Sequence, residues 1–165
     1  MFDLLDSSRS SAAARVLTEP FAGAQATTAV SDFTTNVLEL SEASLIGLQG
    51  SETLVFFNAA DTATTTSLTV TGLLPTSAGT PEALIGIDFR PENGLLYGIT
   101  LEDSVYTIDP TTGAATLVST LATAFPGGSS SGVDFNPVAD RLRLVSRFGE
   151  NYRVNVDTGE TFVDT

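Results

Sequence analysis

Short apolar segments alternate with turn-forming residues along most of the chain. This spacing predicts short β-strands joined by tight turns rather than helices. The segment from Ala83 to Phe89 is apolar on both sides of a strand, which is typical of a strand covered on both faces. Pro91, Asn93 and Gly94 follow, and their restricted or positive φ angles predict a turn. Leu95 to Leu101 is then the returning strand.

The same pattern occurs twice with a constant spacing. The sequence GIDFRP begins at Gly86 and GVDFNP begins at Gly132, 46 residues later, and the turn glycines Gly113 and Gly159 have the same spacing. Each copy predicts four strands connected as an antiparallel meander. A repeat of this length and composition is typical of a β-propeller blade, which buries its faces only against neighbouring blades.

Three such blades are predicted, and the first is incomplete. Its third and fourth strands are expected at Thr53 to Asn58 and Ser67 to Thr71, with an abbreviated first strand before them. The predicted fold class is therefore all-β, with tandem four-stranded antiparallel meander repeats in a β-propeller-like arrangement. The expected blades occupy residues 44–82, 83–128 and 129–165.

Three blades are too few to close a ring, because propellers normally have four or more. Residues 1–43 are predicted to form an N-terminal arm with one strand, between Phe33 and Leu40. Three blades alone form an open array, and exposed sheet edges are rarely tolerated. The array is therefore expected to be closed by oligomerisation, by this arm, or by further repeats of a longer protein. A closed oligomer and a fibre built by strand donation both satisfy the pattern.

The composition removes several kinds of chemistry. The chain contains no Cys and no His, and all seven of its Lys and Arg residues are Arg. Thiol nucleophiles, thiolate metal sites, histidine bases and Schiff bases are thereby excluded. An enzyme would have to rely on carboxylates, hydroxyls, tyrosine and arginine. We therefore predict no enzymatic activity and no cofactor, with a carboxylate-based hydrolase of glycans or lactones as the alternative.

The charge limits the partners. The formal net charge is −13, and the calculated isoelectric point is near 4.1. Such a surface repels nucleic acid and anionic lipid, so neither is expected as a partner. Residues 1–110 hold 14 acidic residues and three Arg, a balance of −11, whereas residues 111–165 hold six and four, a balance of −2. Solubility is sufficient to explain an acidic surface, and head-to-tail electrostatic complementarity between copies is the alternative.

The cellular location is predicted from composition. No apolar run reaches the length of a membrane span, and the acidic start MFDLLD lacks the apolar region of a signal peptide. The absence of Lys, Cys and Trp together with abundant Thr is nevertheless typical of proteins outside the cell. An extracellular or cell-surface location is therefore expected, with no signal peptide visible in the chain.

Two aspartates recur at the end of the first strand of a blade. Asp88 and Asp134 are weak candidates for a metal site or an acid–base pair. Their repetition favours the alternative, in which each accepts hydrogen bonds from turn amides of its own blade. Asp109 and Asp157 precede turn glycines and are expected to be turn formers. Arg90 is expected at the surface.

Three arginines form the candidate binding residues. In a strand predicted from Arg141 to Phe148, Arg141, Arg143 and Arg147 project from one face. They are suited to a carboxylate, a sulfate, an acidic polymer or the acidic half of another copy. Pairing with nearby acids of the same chain is the alternative.

The repeats also carry a family resemblance. LIGIDFRPENGLLYG begins at Leu84, VYTIDPTTGAAT at Val105, SGVDFNPVADRLRLVS at Ser131 and NYRVNVDTG at Asn151. In this order the motifs resemble a bacterial family of uncharacterised secreted proteins, catalogued as a domain of unknown function, over residues 44–165. The resemblance implies a propeller-like all-β fold and an extracytoplasmic location, but no activity.

These observations together predict a non-enzymatic extracellular or cell-surface protein that self-assembles into an oligomer or filament. The blade repeats and the N-terminal arm are the expected contacts. Further copies of the chain are the expected partners, with an acidic polymer or another surface protein as additional candidates. A Ca²⁺-stabilised surface binding module is a further alternative to the hydrolase.

Overall fold

The computed structural model describes residues 43–164, which form three consecutive antiparallel sheets. We refer to the sheets as blades 1, 2 and 3. The prediction of an all-β, propeller-like chain of tandem meanders is confirmed. Within these residues, no helix reaches the length and apolarity needed to cross a membrane. Blade 1 contains β1 (Leu45–Gln49), β2 (Thr53–Asn58) and β3 (Asp61–Thr69); blade 2 contains β4 (Leu84–Phe89), β5 (Leu96–Thr100), β6 (Ser104–Ile108) and β7 (Ala115–Thr120); blade 3 contains β8 (Gly132–Asn136), β9 (Arg141–Val145), β10 (Asn151–Val154) and β11 (Thr161–Asp164).

Blade 1 differs from its prediction. The strand predicted from Thr53 to Asn58 is present as β2. The next strand, β3, begins at Asp61 rather than at the expected Ser67, because the Thr-rich segment before Ser67 also pairs with β2. Leu45 corresponds to Leu96 of β5 at a spacing of 51 residues. The three strands of blade 1 therefore match the second, third and fourth strands of blade 2. The predicted strand between Phe33 and Leu40, and residues 1–42 of the predicted arm, lie outside the described residues.

The turns of blade 2 follow from local side-chain chemistry. Gly94 has a φ of 70° and closes the turn between β4 and β5. Before it, the amide oxygen of Asn93 accepts a hydrogen bond from the Leu95 N–H at 3.1 Å. In the next hairpin turn, the Asp109 carboxylate accepts bonds from the Thr111 N–H at 2.8 Å and the Thr111 hydroxyl at 2.7 Å. The prediction that Asp109 forms a turn is confirmed.

The apolar core lies between the blades. Blade 2 has apolar residues on both faces, and each face packs on an adjacent sheet rather than on a separate layer. One cluster lies between blades 1 and 2, and the other between blades 2 and 3. The first includes Leu54, Phe56, Leu84, Leu96, Tyr106 and Ile108; the second includes Tyr97, Val105, Phe135, Leu142, Leu144, Tyr152 and Val154.

Two repeated glycines set the distance between neighbouring blades. Gly113 and Gly159 have φ angles of 74° and 75°, which other residues adopt only with strain. The carbonyl of Gly159 accepts a hydrogen bond at 2.8 Å from the N–H of Ala122, which follows the last strand of blade 2. The carbonyl of Gly113 likewise accepts from the Thr71 N–H at 2.9 Å. A Cβ on Gly159 would overlap the carbonyl oxygen of Thr120 in the preceding blade.

Replacement of Gly159 by Ala tests this close approach. Gly79 is a matched control, since its φ is 80° but a Cβ added there would have no neighbouring atom within 4 Å. Gly79→Ala is expected to cost about 1 kcal/mol from backbone strain alone. Gly159→Ala is expected to cost about 1–3 kcal/mol more, because the added methyl group forces blades 2 and 3 apart. Urea denaturation measures both; equal losses would contradict the close approach.

Candidate functional site at the blade interface

Arg90 joins blades 2 and 3, contrary to the prediction that it lies at the surface. It follows β4, and only 6% of the residue is exposed. Its Nε and Nη2 donate hydrogen bonds to the two carboxylate oxygens of Asp140 at 2.8 and 2.5 Å. Its Nη1 and Nη2 donate to both oxygens of Asp157 at 2.8 and 2.9 Å. Two turns of blade 3 are thus bound by one guanidinium of blade 2.

Aromatic groups complete the surroundings of this guanidinium. Nη1 of Arg90 also donates to the Tyr97 hydroxyl at 3.3 Å. The Tyr97 ring packs edge-to-face on Phe135 of blade 3, with 5.4 Å between ring centroids. Hydrogen bonds to Asp140 first, and to Asp157 second, raise the pKa of Arg90. The hydrogen bond from Arg90 lowers the pKa of Asp140, which favours the ionised carboxylate.

Asp157 lies in a turn of blade 3 and contacts the neighbouring blade. Its backbone N–H donates to the Asn155 side-chain oxygen at 3.0 Å, in the turn between β10 and β11. Its carboxylate, however, faces Arg90 of blade 2. Asp157 thus lies in the predicted turn, but the side chain that braces this turn is that of Asn155, and the Asp157 carboxylate forms an ion pair that the turn pattern did not indicate.

Asp88 connects the first strands of blades 2 and 3. One carboxylate oxygen accepts a hydrogen bond from the Phe89 N–H at 2.8 Å, and the other accepts from the Phe135 N–H at 2.7 Å. The expectation that its partners lie only in its own blade is therefore wrong, because Phe135 belongs to β8 of blade 3. Burial raises the pKa of Asp88, and repulsion from Asp134 contributes in the same direction.

Asp134 occupies the corresponding position in blade 3, where it is exposed. Strand pairing places Asp134 opposite Arg143 of β9. Among residues 43–164, no three acidic side chains come together as a metal site would require. Because Asp88 already accepts two main-chain hydrogen bonds, its carboxylate serves the contact between blades.

A row of paired residues crosses each of blades 2 and 3. Directly paired residues of adjacent antiparallel strands share a face. In blade 2 this face is covered by blade 3, as the contacts of Asp88 and Tyr97 with Phe135 show. The row in blade 2 consists of Asp88, Tyr97, Thr107 and Thr116.

The corresponding row of blade 3 consists of Asp134, Arg143, Arg153 and Phe162. We call the surface that these four residues define the free face of blade 3, because no part of residues 43–164 forms a further sheet beyond it. Asp164 pairs with Arg143 at 3.1 Å and with Arg153 at 2.8 Å. Phe162 is 42% exposed, and the Arg153 guanidinium lies 5.7 Å from its ring centroid.

The three candidate binding arginines are in different surroundings. Arg141 donates to the main-chain oxygen of Asp140 at 2.8 Å. Arg143 is on the free face of blade 3 and donates to the Asn151 side chain at 2.5 Å as well as to Asp164. The strand β9 ends at Val145 rather than at Phe148. Arg147 therefore lies in the following turn and does not share a strand face with the other two.

Arg147 borders a small polar cleft. The cleft has a volume of about 280 Å³ and is lined by residues 126–131 with Ser146, Arg147 and Phe148. The Arg147 guanidinium lies 4.5 Å from the centroid of the exposed Phe148 ring. The nearby Glu150 carboxylate instead accepts a hydrogen bond from the Ser146 hydroxyl. Within the described part of the chain, Arg147 has no ion pair.

Glu82 is a second buried group that the sequence analysis missed. Only 7% of it is exposed. Its carboxylate accepts hydrogen bonds from three hydroxyl groups, those of Thr100 at 3.1 Å, Ser104 at 3.1 Å and Tyr106 at 2.8 Å. The Tyr106 oxygen also accepts from the Leu74 N–H at 3.0 Å. Burial raises the pKa of Tyr106, and the contact with Glu82 raises it further. The hydrogen bond from the Leu74 N–H acts in the opposite direction.

Replacement of Asp140 by Asn tests the Arg90 contact. At pH 7 the loss of a charge-assisted bidentate pair is expected to lower the free energy of unfolding by about 1.5–3 kcal/mol. The folded-state pKa of Asp140 lies below its unfolded value, so its stabilisation is present above about pH 4 and is lost as pH falls through the lowered pKa. The difference between wild type and variant should therefore shrink only below about pH 4.

The measurement is urea denaturation of both proteins between pH 7 and pH 2. Glu92→Gln is the control, because Glu92 lies 3.9 Å from Arg90 but its side chain is 61% exposed. This change is expected to alter stability by no more than about 0.5 kcal/mol. A difference between wild type and Asp140→Asn that already vanishes between pH 7 and pH 5 would show that the pair is not ionised as described.

Comparisons with known proteins give a family match and a distant structural neighbour. No curated protein matches the chain. Among solved structures, the chain is similar to a Bacteroides fragilis protein provisionally assigned as a 6-phosphogluconolactonase, with 16% sequence identity and a TM-score of 0.41. The match covers 77% of this chain but only 39% of that protein. A family model described as Domain of unknown function (DUF4394) matches residues 53–165, more than half of the chain. The protein therefore belongs to this family, and the predicted resemblance to an uncharacterised family is confirmed.

Proposed function

We propose that the protein is a non-enzymatic, extracellular assembly module in which blades of different copies stack as blades 2 and 3 stack within one copy. The observation that supports this proposal is the free face of blade 3. In blade 2 the equivalent row of residues is covered by the next blade through Asp88 and Tyr97. In blade 3 that row contains exposed Asp134 and Phe162.

The free face also has groups that suit a protein partner. Asp134 corresponds to Asp88, whose carboxylate accepts a main-chain N–H from the adjacent first strand. Phe162 of β11 is 42% exposed. Aromatic and Arg side chains are enriched at protein interfaces. A first strand from another copy would give Asp134 the amide partner that Asp88 has within the chain.

The charge of the chain favours a second copy as this partner. Arg143 and Arg153 lie on the free face of blade 3 in a chain whose residues 1–110 carry a balance of −11. Head-to-tail contact would place these arginines beside the acidic half of the next copy. Such a heterologous contact gives a ring if its rotation closes, and a filament otherwise.

Replacement of Phe162 by Asp tests this assembly. The wild type is expected to show concentration-dependent association by analytical ultracentrifugation. Phe162→Asp is expected to weaken association at least about tenfold, because it removes an aromatic side chain that the assembly would bury and places a charge there. Val138→Asp is the matched control, since Val138 is 95% exposed in a turn of the same blade and is not in the row.

Two results would contradict the proposal. One is a wild-type protein that stays monomeric at every concentration and salt level. The other is an equal effect of Phe162→Asp and Val138→Asp, which would place the contact elsewhere. Because both positions are exposed, each variant is expected to keep its fold. Thermal melting of each purified variant checks this.

A second candidate function is the binding of an acidic polymer in the cleft beside Arg147. The supporting observation is the position of Arg147, which lines this cleft. Among the described residues, Arg141 and Arg143 contact a main-chain oxygen and a carboxylate, whereas the Arg147 guanidinium has neither kind of acceptor. The exposed Phe148 ring beside it adds a flat apolar surface. A guanidinium next to such a ring suits a sugar that carries a carboxylate or sulfate.

Replacement of Arg147 by Gln tests this candidate. Polygalacturonate is the acidic probe, and dextran is the neutral one. Wild type is expected to bind polygalacturonate but not dextran, and Arg147→Gln to bind at least about tenfold more weakly, since a charged hydrogen bond contributes about 1.5–3 kcal/mol. Arg141→Gln, which alters a main-chain contact outside the cleft, is the control. Unchanged affinity in Arg147→Gln, measured by calorimetry, would remove this candidate.

A further inference from the structure

The turn between β4 and β5 contains the one Asn–Gly sequence of the chain, Asn93–Gly94. In such a sequence the main-chain nitrogen of the glycine can attack the side-chain carbonyl carbon of the asparagine, because glycine has no side chain to hinder the approach. The other five asparagines are followed by Val, Ala, Pro or Tyr. Asn93 is exposed. The chain therefore has one position suited to this reaction, and it lies beside the Arg90 contact.

The reaction converts the side-chain amide into an acid and needs only water. The Gly94 nitrogen gives up its proton and forms a bond to Cγ of Asn93. The bond between Cγ and Nδ2 breaks, and the side-chain nitrogen takes up a proton and leaves as ammonia. Water then opens the cyclic imide at either of its carbonyl carbons. One opening gives aspartate, and the other gives isoaspartate, in which the main chain passes through the former side chain.

The folded turn holds each reacting group in a hydrogen bond. The Gly94 N–H donates to the main-chain oxygen of Arg90 at 2.8 Å. Oδ1 of Asn93 accepts from the Leu95 N–H at 3.1 Å, and Nδ2 donates to the Tyr97 hydroxyl at 3.2 Å. Attack requires the Gly94 nitrogen to give up its hydrogen, and loss of ammonia requires Nδ2 to leave Tyr97. Both bonds must therefore break before the reaction is complete.

Tyr97 connects this turn to the contact between blades 2 and 3. It is only 4% exposed. Its hydroxyl also accepts from Nη1 of Arg90 at 3.3 Å, and its ring packs on Phe135 of blade 3. The same guanidinium is bound by Asp140 and Asp157 of blade 3. The group that holds Nδ2 in the turn is thus itself held in place by blade 3.

We propose that Asn93 is a site of spontaneous conversion to isoaspartate that reacts only when the turn between β4 and β5 opens, and that blade 3 keeps this turn closed through Tyr97. Isoaspartate adds a carbon to the main chain, so the turn cannot regain the hydrogen bonds of Asn93 after the reaction. The modification permanently marks molecules in which this part of the interface has opened. The proposal does not depend on assembly between copies, which Phe162→Asp tests separately.

Ageing of the purified full chain tests whether the fold protects Asn93. Wild type is incubated at neutral pH, folded or in concentrated urea, and isoaspartate at each asparagine is measured by peptide mapping with mass spectrometry. Asn93 is expected to convert in urea, and at least about tenfold more slowly in the folded protein, because its hydrogen bonds must open first. Asn155 is the internal control, since it accepts a similar bond from the Asp157 N–H but precedes Val156.

Replacement of Tyr97 by Phe tests the hydroxyl that holds Nδ2. The ring is kept, and conversion of Asn93 in the folded protein is expected to become about two- to tenfold faster, which corresponds to one lost hydrogen bond. Tyr152→Phe is the matched control. The Tyr152 hydroxyl donates to the Ala124 oxygen at 3.2 Å and its ring packs edge-to-face on Phe125. This control removes a comparable contact that does not involve Asn93.

The results separate the site from its connection to blade 3. Equal rates with and without urea, or no conversion of Asn93 even in urea, would overturn the site. Equal rates in Tyr97→Phe and Tyr152→Phe would show that protection follows overall stability rather than the Tyr97 contact. Asp140→Asn, which weakens the Arg90 contact from blade 3, is expected to speed conversion more than Tyr152→Phe does. A rate for Asp140→Asn equal to that of wild type would overturn the connection to blade 3.

Discussion

The contact on which the rest of the structure depends is the burial of one sheet face against the next sheet. A four-stranded meander with two apolar faces has no core of its own, so each blade is stable only beside another. The main-chain bonds of Gly113 and Gly159 to the preceding blade fix how closely the sheets approach. The two apolar clusters then lie between blades rather than within them.

Polar groups give this packing its specificity. A buried ion pair often adds little net stability, because the cost of removing both charges from water offsets the attraction. Arg90 offsets that cost because it binds two carboxylates at once, both partly exposed. The result is an interface that accepts one partner blade in one register, since Asp140 and Asp157 are in turns that only a correctly placed blade 3 presents.

Local patterns in the sequence predict the strands and turns well, but not the contacts between blades. The segment Thr53 to Asn58 and the Asp109 turn were predictable, because alternation and turn chemistry act within a few residues. Arg90 was not, since its partners are 50 and 67 residues away. One signal was present: Arg90 is the only basic residue between Arg15 and Arg141. An isolated cation in an acidic stretch indicates a fixed partner.

The two equivalent rows of blades 2 and 3 differ in chemistry although their positions in the repeat correspond. Between blades 2 and 3 the row has Tyr97 and Thr107, so the contact is largely apolar and is buried within the chain. On the free face the same positions hold Arg143 and Arg153, whose charges remain hydrated and partly paired with Asp164. A contact made by such a face is weaker and more sensitive to salt than the internal interface. In the assembly that we propose, contacts within a chain would be permanent and contacts between copies reversible, because the residues of the row change while their positions do not.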